Sequence, residues 1–188
     1  MPFSLAFLEH LFDYWMGLAA PIPDLTVPVR WGLMEPIVVG TDGSSRGNPG
    51  PAGWAWVVNK NAWQCGSLPR ATSMVAEMTA VYRALVELPA DRDVIVLTDS
   101  ETTMKTVERW IRGWSENNWR KADGKPVRNL DLVQAIWALM NARTGSLRAE
   151  WVRSHGDHPL NITADKLATT AARAGKGRAL VNGPSWPG

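Results

Sequence analysis

The run DVIVLTDS at residues 93–100 constrains the fold more than any other stretch of the chain. Val94 to Leu97 are apolar without alternation, as expected of a strand covered on both faces. Such a strand sits inside a sheet with layers above and below it, which predicts an α/β protein. The run ends on Asp99, where a buried strand reaches the rim of its sheet. A second run, VVGTDGSSRGNPGPAGWAWVV at residues 38–58, behaves alike. Its β-branched start leads to Asp42, and the Asn-Pro and Pro-Gly pairs that follow turn the chain into another strand.

Three short strands are expected at residues 37–42, 53–59 and 62–68, joined closely enough to form an antiparallel meander. TSMVAEMTAVYRALVELP then predicts a helix capped by Thr72 or Ser73, with Met74, Met78, Val81 and Leu85 along one apolar stripe. After DVIVLTDS come helical patterns in SETTMKTVERWIRGW and LDLVQAIWALMNA, separated by the basic loop NNWRKADGKPVRN. RAEWVRS alternates like a strand, and NITADKLATTAARA predicts a last helix capped near Asn161 or Thr163. The order β-β-β-α-β-α-α-β-α describes a mixed sheet with helices on its faces.

This domain is expected to occupy residues 36–175, with a flexible tail over 176–188 that has no periodicity. Residues 1–35 form a separate extension. Leu8, Leu11, Phe12, Trp15 and Met16 recur at helical spacing, predicting an amphipathic helix over 4–19, and four prolines between 20 and 36 predict an extended linker. Glu9, His10 and Asp13 interrupt the apolar run, so it suits neither a targeting signal nor a bilayer span. No Lys or Arg precedes Arg30, which argues against anionic lipid. The helix is expected to dock on its own domain, on a second copy or on another protein.

A formal net charge of +2 excludes coating nucleic acid by charge alone, so any such contact must be local. Cys65 is the single cysteine, which excludes a disulfide framework and a thiolate-rich zinc site and fits a reducing, cytoplasmic setting.

Asp42 and Asp99 each follow a buried run, and if their strands are neighbours the two carboxylates share one rim. Glu77 adds a third from the first turns of the Thr72 helix, and Asp165 a fourth from close to the start of the last helix. Like charges so placed need a cation between them. Singly, each has a structural reading as turn former, cap or half-exposed helix residue. Together, four oxygen donors suit a hard cation such as Mg²⁺ or Mn²⁺, and a pair of such ions is the usual device for in-line phosphodiester cleavage.

TDGSSRGNPGPAGWAWV, AEMTAVYRAL, LTDS, WRKADGKPVRNLDL and WVRSHGDHPLNITADKLA, in this order and spacing, closely resemble the type 1 ribonuclease H family over roughly residues 37–174. The resemblance implies a ribonuclease H-like fold: a five-stranded mixed sheet, its first three strands antiparallel and its last two parallel, flanked by helices. It implies two Mg²⁺ ions, or Mn²⁺ in their place, held by Asp42, Glu77, Asp99 and Asp165. It also implies hydrolysis of the RNA strand of RNA–DNA hybrids to 5′-phosphate and 3′-hydroxyl ends. His155, which the residues alone do not separate from His158, matches the family's loop histidine and would assist proton transfer or product release. Asn48, Thr72, Ser73, Glu101 and Trp114 fall at positions that hold nucleic acid, and Arg120, Lys121, Lys125 and Arg128 fall in a basic protrusion. Trp110 and Trp119 are read as packing residues.

The chain departs from the family pattern in three places. Ser73 and Met74 stand where asparagines commonly read the RNA minor groove, Glu101 stands where a glutamine is common, and Glu116 lies in a stretch that is often basic. These changes touch substrate grip rather than chemistry. They keep two alternatives in view: a related nuclease acting on another duplex, and a non-catalytic hybrid-binding or assembly module.

Overall fold

The computed structural model describes residues 35–153 and 158–175 together with the backbone of 179–181. The expected N-terminal helix and linker, and His155, lie outside the described residues. The strands are β1 (Ile37–Ser45), β2 (Gly50–Asn59), β3 (Ala62–Ala71), β4 (Val94–Thr98) and β5 (Leu147–Trp151), with a short β6 (Ala179–Val181). The helices are α1 (Ser73–Glu87), α2 (Glu101–Lys105), α3 (Ile111–Glu116), α4 (Leu130–Ala142) and α5 (Pro159–Ala174), and a π-helical turn, Thr106–Trp110, joins α2 to α3.

The sheet runs β5-β4-β1-β2-β3-β6, with β1 to β3 antiparallel and β4 and β5 parallel to β1. The expected mixed sheet of five strands is present, and β6 extends it by pairing antiparallel with β3 in what the sequence reads as a flexible tail. Val94, Val96 and Leu97 of β4 are all buried, because the strand lies between β1 and β5 with helices over the sheet.

The period-two alternation of β2 sorts two cores. Trp54 and Trp56 pack with Val39, Met78, Val81 and Ile136 in a cluster shared by α1 and α4. Ala55 and Val57 point the other way, to Trp63, Cys65, Ala164, Leu167 and Ala168 beneath α5. Gln64, buried between the strands, accepts the indole N–H of Trp56 at 3.3 Å, so this buried polar group is satisfied.

Four local expectations are corrected. β1 does not end at Asp42 but continues to Ser45, because the hairpin with β2 stays in register to Ser45 and Ala52. The last helix starts at Pro159, which fits the first helical position, so neither Asn161 nor Thr163 is its cap. The helix after β4 contains a π-helical turn, within which Glu108 accepts the Ala149 N–H of β5 and so occupies part of that edge strand's outer side. Met74 does not join the core stripe: it is 38 % exposed, at the first turn of α1.

α5 lies so close to β2 that a Cβ on Gly53 would stand 2.2 Å from the Ala168 carbonyl oxygen and 2.4 Å from the Ala172 nitrogen. Backbone on both sides leaves nothing to yield. Gly53→Ala is expected to cost about 3 kcal/mol of stability, measured by urea unfolding. A variant within 0.5 kcal/mol of the parent, roughly the scale of a neutral surface change, would contradict this packing.

Candidate active site

The parallel register of β1 and β4 sets Gly40 beside Leu97, and two residues further on stand Asp42, still in β1, and Asp99, just past the end of β4. β4 ends at Thr98, so Asp42, although still paired with Ala55 of β2, has passed the end of its other neighbour. The rim is therefore the step where β4 stops and β1 goes on.

Glu77 arrives from α1, which rests directly on β1 at Gly43. A Cβ on Gly43 would lie 2.1 Å from the Glu77 nitrogen, so only glycine lets the helix's first turn come this near. Thr72 caps that turn, its Oγ1 accepting the Val75 N–H at 3.2 Å, which decides between Thr72 and Ser73. Carboxylate oxygens of Asp42, Glu77 and Asp99 lie within 4.8 Å of one another.

Asp42 and Glu77 are buried, and Asp99 is half-buried. Burial, then the charges of Asp99 and Asp165, push the Asp42 carboxyl up to about 8, against a weaker opposing pull from the Gly43 amide. Glu77 is pushed well above the carboxylate range by burial and then by Asp42 and Asp99. Among the described residues no lysine or arginine pairs with any of these carboxylates. Glu77 Oε2 is buried and has no hydrogen-bond partner. An unpartnered acceptor among crowded acids, with oxygen donors only, fits a hard divalent cation.

Asp165 flanks this group rather than joining its closest cluster. It lies half-buried in the second turn of α5, 3.5 Å from the hydroxyl of Thr169, which donates in turn to Ser44 of β1 at 3.4 Å. Its charge reaches Asp42 and Glu77. With α5 starting at Pro159, Asp165 is too far along for the helix N-terminus to account for it. His158 immediately precedes α5 and keeps Nδ1 out of solvent.

Asn48 and Ser73 meet beside this rim: the Ser73 N–H donates to Asn48 Oδ1 at 3.2 Å. Two exposed arginines that the sequence reading passed over belong to the same corner. Arg46 lies in the β1–β2 turn, and Arg70 directly precedes Ala71, whose carbonyl accepts the Ser45 hydroxyl at 3.0 Å. Their placement follows from the β1–β3 end geometry, which no local pattern announces.

Trp114 lines a groove of about 420 Å³ with Met74, Trp110, Lys121 and Arg128. The Trp110 and Trp114 rings are 5.8 Å apart and tilted by 38°, and Trp110 is 40 % exposed, so it packs on its neighbour rather than in the core, whereas Trp119 does pack against the core. Glu101 is exposed and bonded to Lys105 at 2.5 Å, which holds its carboxyl below the usual range. Arg120 donates to the Gly124 carbonyl at 2.9 Å and Lys125 faces Asp123 at 3.3 Å, so both are engaged within their own loop.

The RNase H family model matches residues 34–173. The chain is 44 % identical over 152 residues to a ribonuclease H of Tropheryma whipplei, covering 80 % of this chain and 93 % of the relative. It is 43 % identical over 148 residues to a ribonuclease HI of Streptomyces coelicolor, covering 74 % of this chain and 63 % of that longer protein. Among solved structures it is similar to the N-terminal RNase H domain of a Mycobacterium tuberculosis protein fused to maltose-binding protein, with 30 % identity, a TM-score of 0.57 and coverage of 73 % and 94 % of the two chains.

The raised Asp42 carboxyl makes stability depend on pH. Its protonated form is favoured in the folded state, so its contribution is complete below the unfolded value of about 4 and is lost as pH rises through about 8. In EDTA, Tm is expected to fall between pH 5 and 8, and less steeply in Asp42→Asn. Mg²⁺ should restore more of the Tm at pH 8 than at pH 5, because the metal takes the deprotonated site. Equal slopes in both proteins, read by scanning calorimetry, would contradict the assignment. Gly43→Ala, which displaces α1, should abolish the Mg²⁺ effect at either pH.

Proposed function

The chain belongs to the type 1 ribonuclease H family, and on that premise we propose that it cleaves the RNA strand of RNA–DNA hybrids through the carboxylates at the β1–β4 rim, leaving 5′-phosphate and 3′-hydroxyl ends. The observation that carries this is the crowding of Asp42, Glu77 and Asp99 without a protein cation, with Glu77 Oε2 unpartnered. Asp42, Glu77, Asp99 and Asp165 would hold two Mg²⁺ ions, with Mn²⁺ as substitute, which supply charge neutralisation, an activated water and stabilisation of the leaving oxygen.

The chain's own residues do the rest. Asp42, Glu77 and Asp99 present their acceptor oxygens to one another's neighbourhood, with Asp165 flanking them. His155 moves a proton to the leaving 3′-oxygen or helps the product depart. Asn48, Thr72 and Ser73, with Arg46 and Arg70 beside them, hold the backbone on one side of the rim. On the other side the Trp110–Trp114 groove takes a sugar–phosphate backbone against apolar surface, with Lys121 and Arg128 toward its phosphates. Arg120 and Lys125 act more weakly, since their charges already have partners. Glu101, an acceptor only, takes a hydrogen bond from a 2′-hydroxyl where a neutral amide would both donate and accept.

No helix among the described residues is long and apolar enough to cross a membrane. We place the protein's work in the cytoplasm, on the strength of its single cysteine, Cys65, which rules out an intrachain disulfide. Residues 36–175 act as the catalytic domain, and the N-terminal extension serves docking.

With Mg²⁺, Asp42→Asn and Asp99→Asn are each expected to slow cleavage of a labelled hybrid by roughly 100- to 1,000-fold, with Tm at pH 5 lowered by little. Duplex DNA and duplex RNA should remain intact. Undiminished cleavage in either variant would sink the proposal; cuts in duplex RNA or DNA of equal rate would replace it with a broader nuclease.

A further inference from the structure

We propose that Trp151 is a positioning residue for the Asp99 carboxylate, acting through its indole N–H. This rests on the functional reading above, in which Asp99 holds metal. Trp151 is the last residue of β5 and pairs with Thr98, the last residue of β4. Its Nε1 donates to the Asp99 carbonyl oxygen at 3.0 Å, while the residue stays 46 % exposed. Burial of the ring does not account for a large aromatic there.

The direction in which Asp99 projects its side chain is set by the two peptide planes that flank its Cα. The preceding plane is held by the Val152 N–H, which donates to the Thr98 carbonyl at 2.9 Å. The following plane carries the Asp99 carbonyl and is held by the indole. The other end of that plane is the Ser100 N–H, which donates to Thr98 Oγ1 at 3.1 Å within the same turn, and beyond it Ser100 Oγ accepts the Thr103 N–H at 3.3 Å to cap α2. Among the described residues the indole is the one side chain from another element that donates to residues 98–100. Without it, the plane after Asp99 keeps only the Ser100 N–H bond to Thr98 Oγ1, a contact within the turn itself. The carboxylate then samples directions away from Asp42 and Glu77, and the cation site loses one well-aimed ligand.

The test uses the full-length protein in two forms. Trp151→Phe removes the N–H and narrows the ring, and site-specific incorporation of benzothienylalanine at 151 replaces only the N–H by sulfur. Mn²⁺ affinity is read from the spin resonance of free Mn²⁺, beside kcat and KM on the hybrid at saturating Mg²⁺, and Tm. Mn²⁺ affinity is expected to fall roughly 2- to 10-fold in both forms, as for loss of one hydrogen bond. The kcat should fall with it, while KM for the hybrid and Tm stay at the parent values. A benzothienyl form with parent Mn²⁺ affinity and kcat overturns the proposal, as does a loss that only follows a fall in Tm. A parent protein that binds no Mn²⁺ and cuts no hybrid overturns the functional reading, and the proposal with it.

Discussion

Repulsion among carboxylates that the fold does not allow to separate is the constraint on which the rest of this structure depends. Asp42, Glu77 and Asp99 converge within 4.8 Å, two of them buried, and proton uptake or a cation relieves the strain that results. The machinery that holds them is ordinary packing. Parallel pairing of β1 with β4 fixes Asp42 and Asp99 in register. Contact of α1 with Gly43 fixes Glu77, and contact of α5 with Gly53 brings Asp165 alongside. Each contact is backbone against backbone, so small displacements are resisted by close packing rather than by flexible side chains. The energy stored in the crowded acids is thus drawn from the two cores on either face of the sheet.

The carboxylates were legible in the sequence because buried runs such as VIVL and VV stop on acidic residues, and because one helix carries Glu77 among apolar neighbours. Chain order and the mixed sheet were legible for the same reason: period two and period 3.6 are local signals. What stayed hidden depended on contacts between distant segments. The extension of β1 to Ser45 comes from its partner β2, and the exposure of Met74 and Trp110 comes from the groove that forms only when α1, the π-helical turn and the loop before α4 assemble. Pairing of residues 179–181 with β3 likewise has no periodic trace in a three-residue strand. Arg46 and Arg70 look like unremarkable surface charges until the ends of β1 and β3 meet.

The departures from the family pattern acquire a physical meaning in this setting. Met74 extends the apolar surface of the groove up to the first turn of α1, one turn before Glu77, where an amide would present donors and acceptors. Glu101, tied to Lys105, presents negative charge two residues beyond Asp99. Grip on this side of the site therefore relies on apolar contact and the neighbouring cations more than on hydrogen-bond reading. The chemistry at the rim is untouched by either change.

The measurement that bears most directly on this account is anomalous diffraction from crystals of the full-length protein grown with Mn²⁺. The account predicts anomalous density bounded by Asp42, Glu77 and Asp99, with the otherwise unpartnered Glu77 Oε2 among the ligands. Mn²⁺ density only at other sites, or a lysine or arginine found paired with these carboxylates in place of metal, would contradict it.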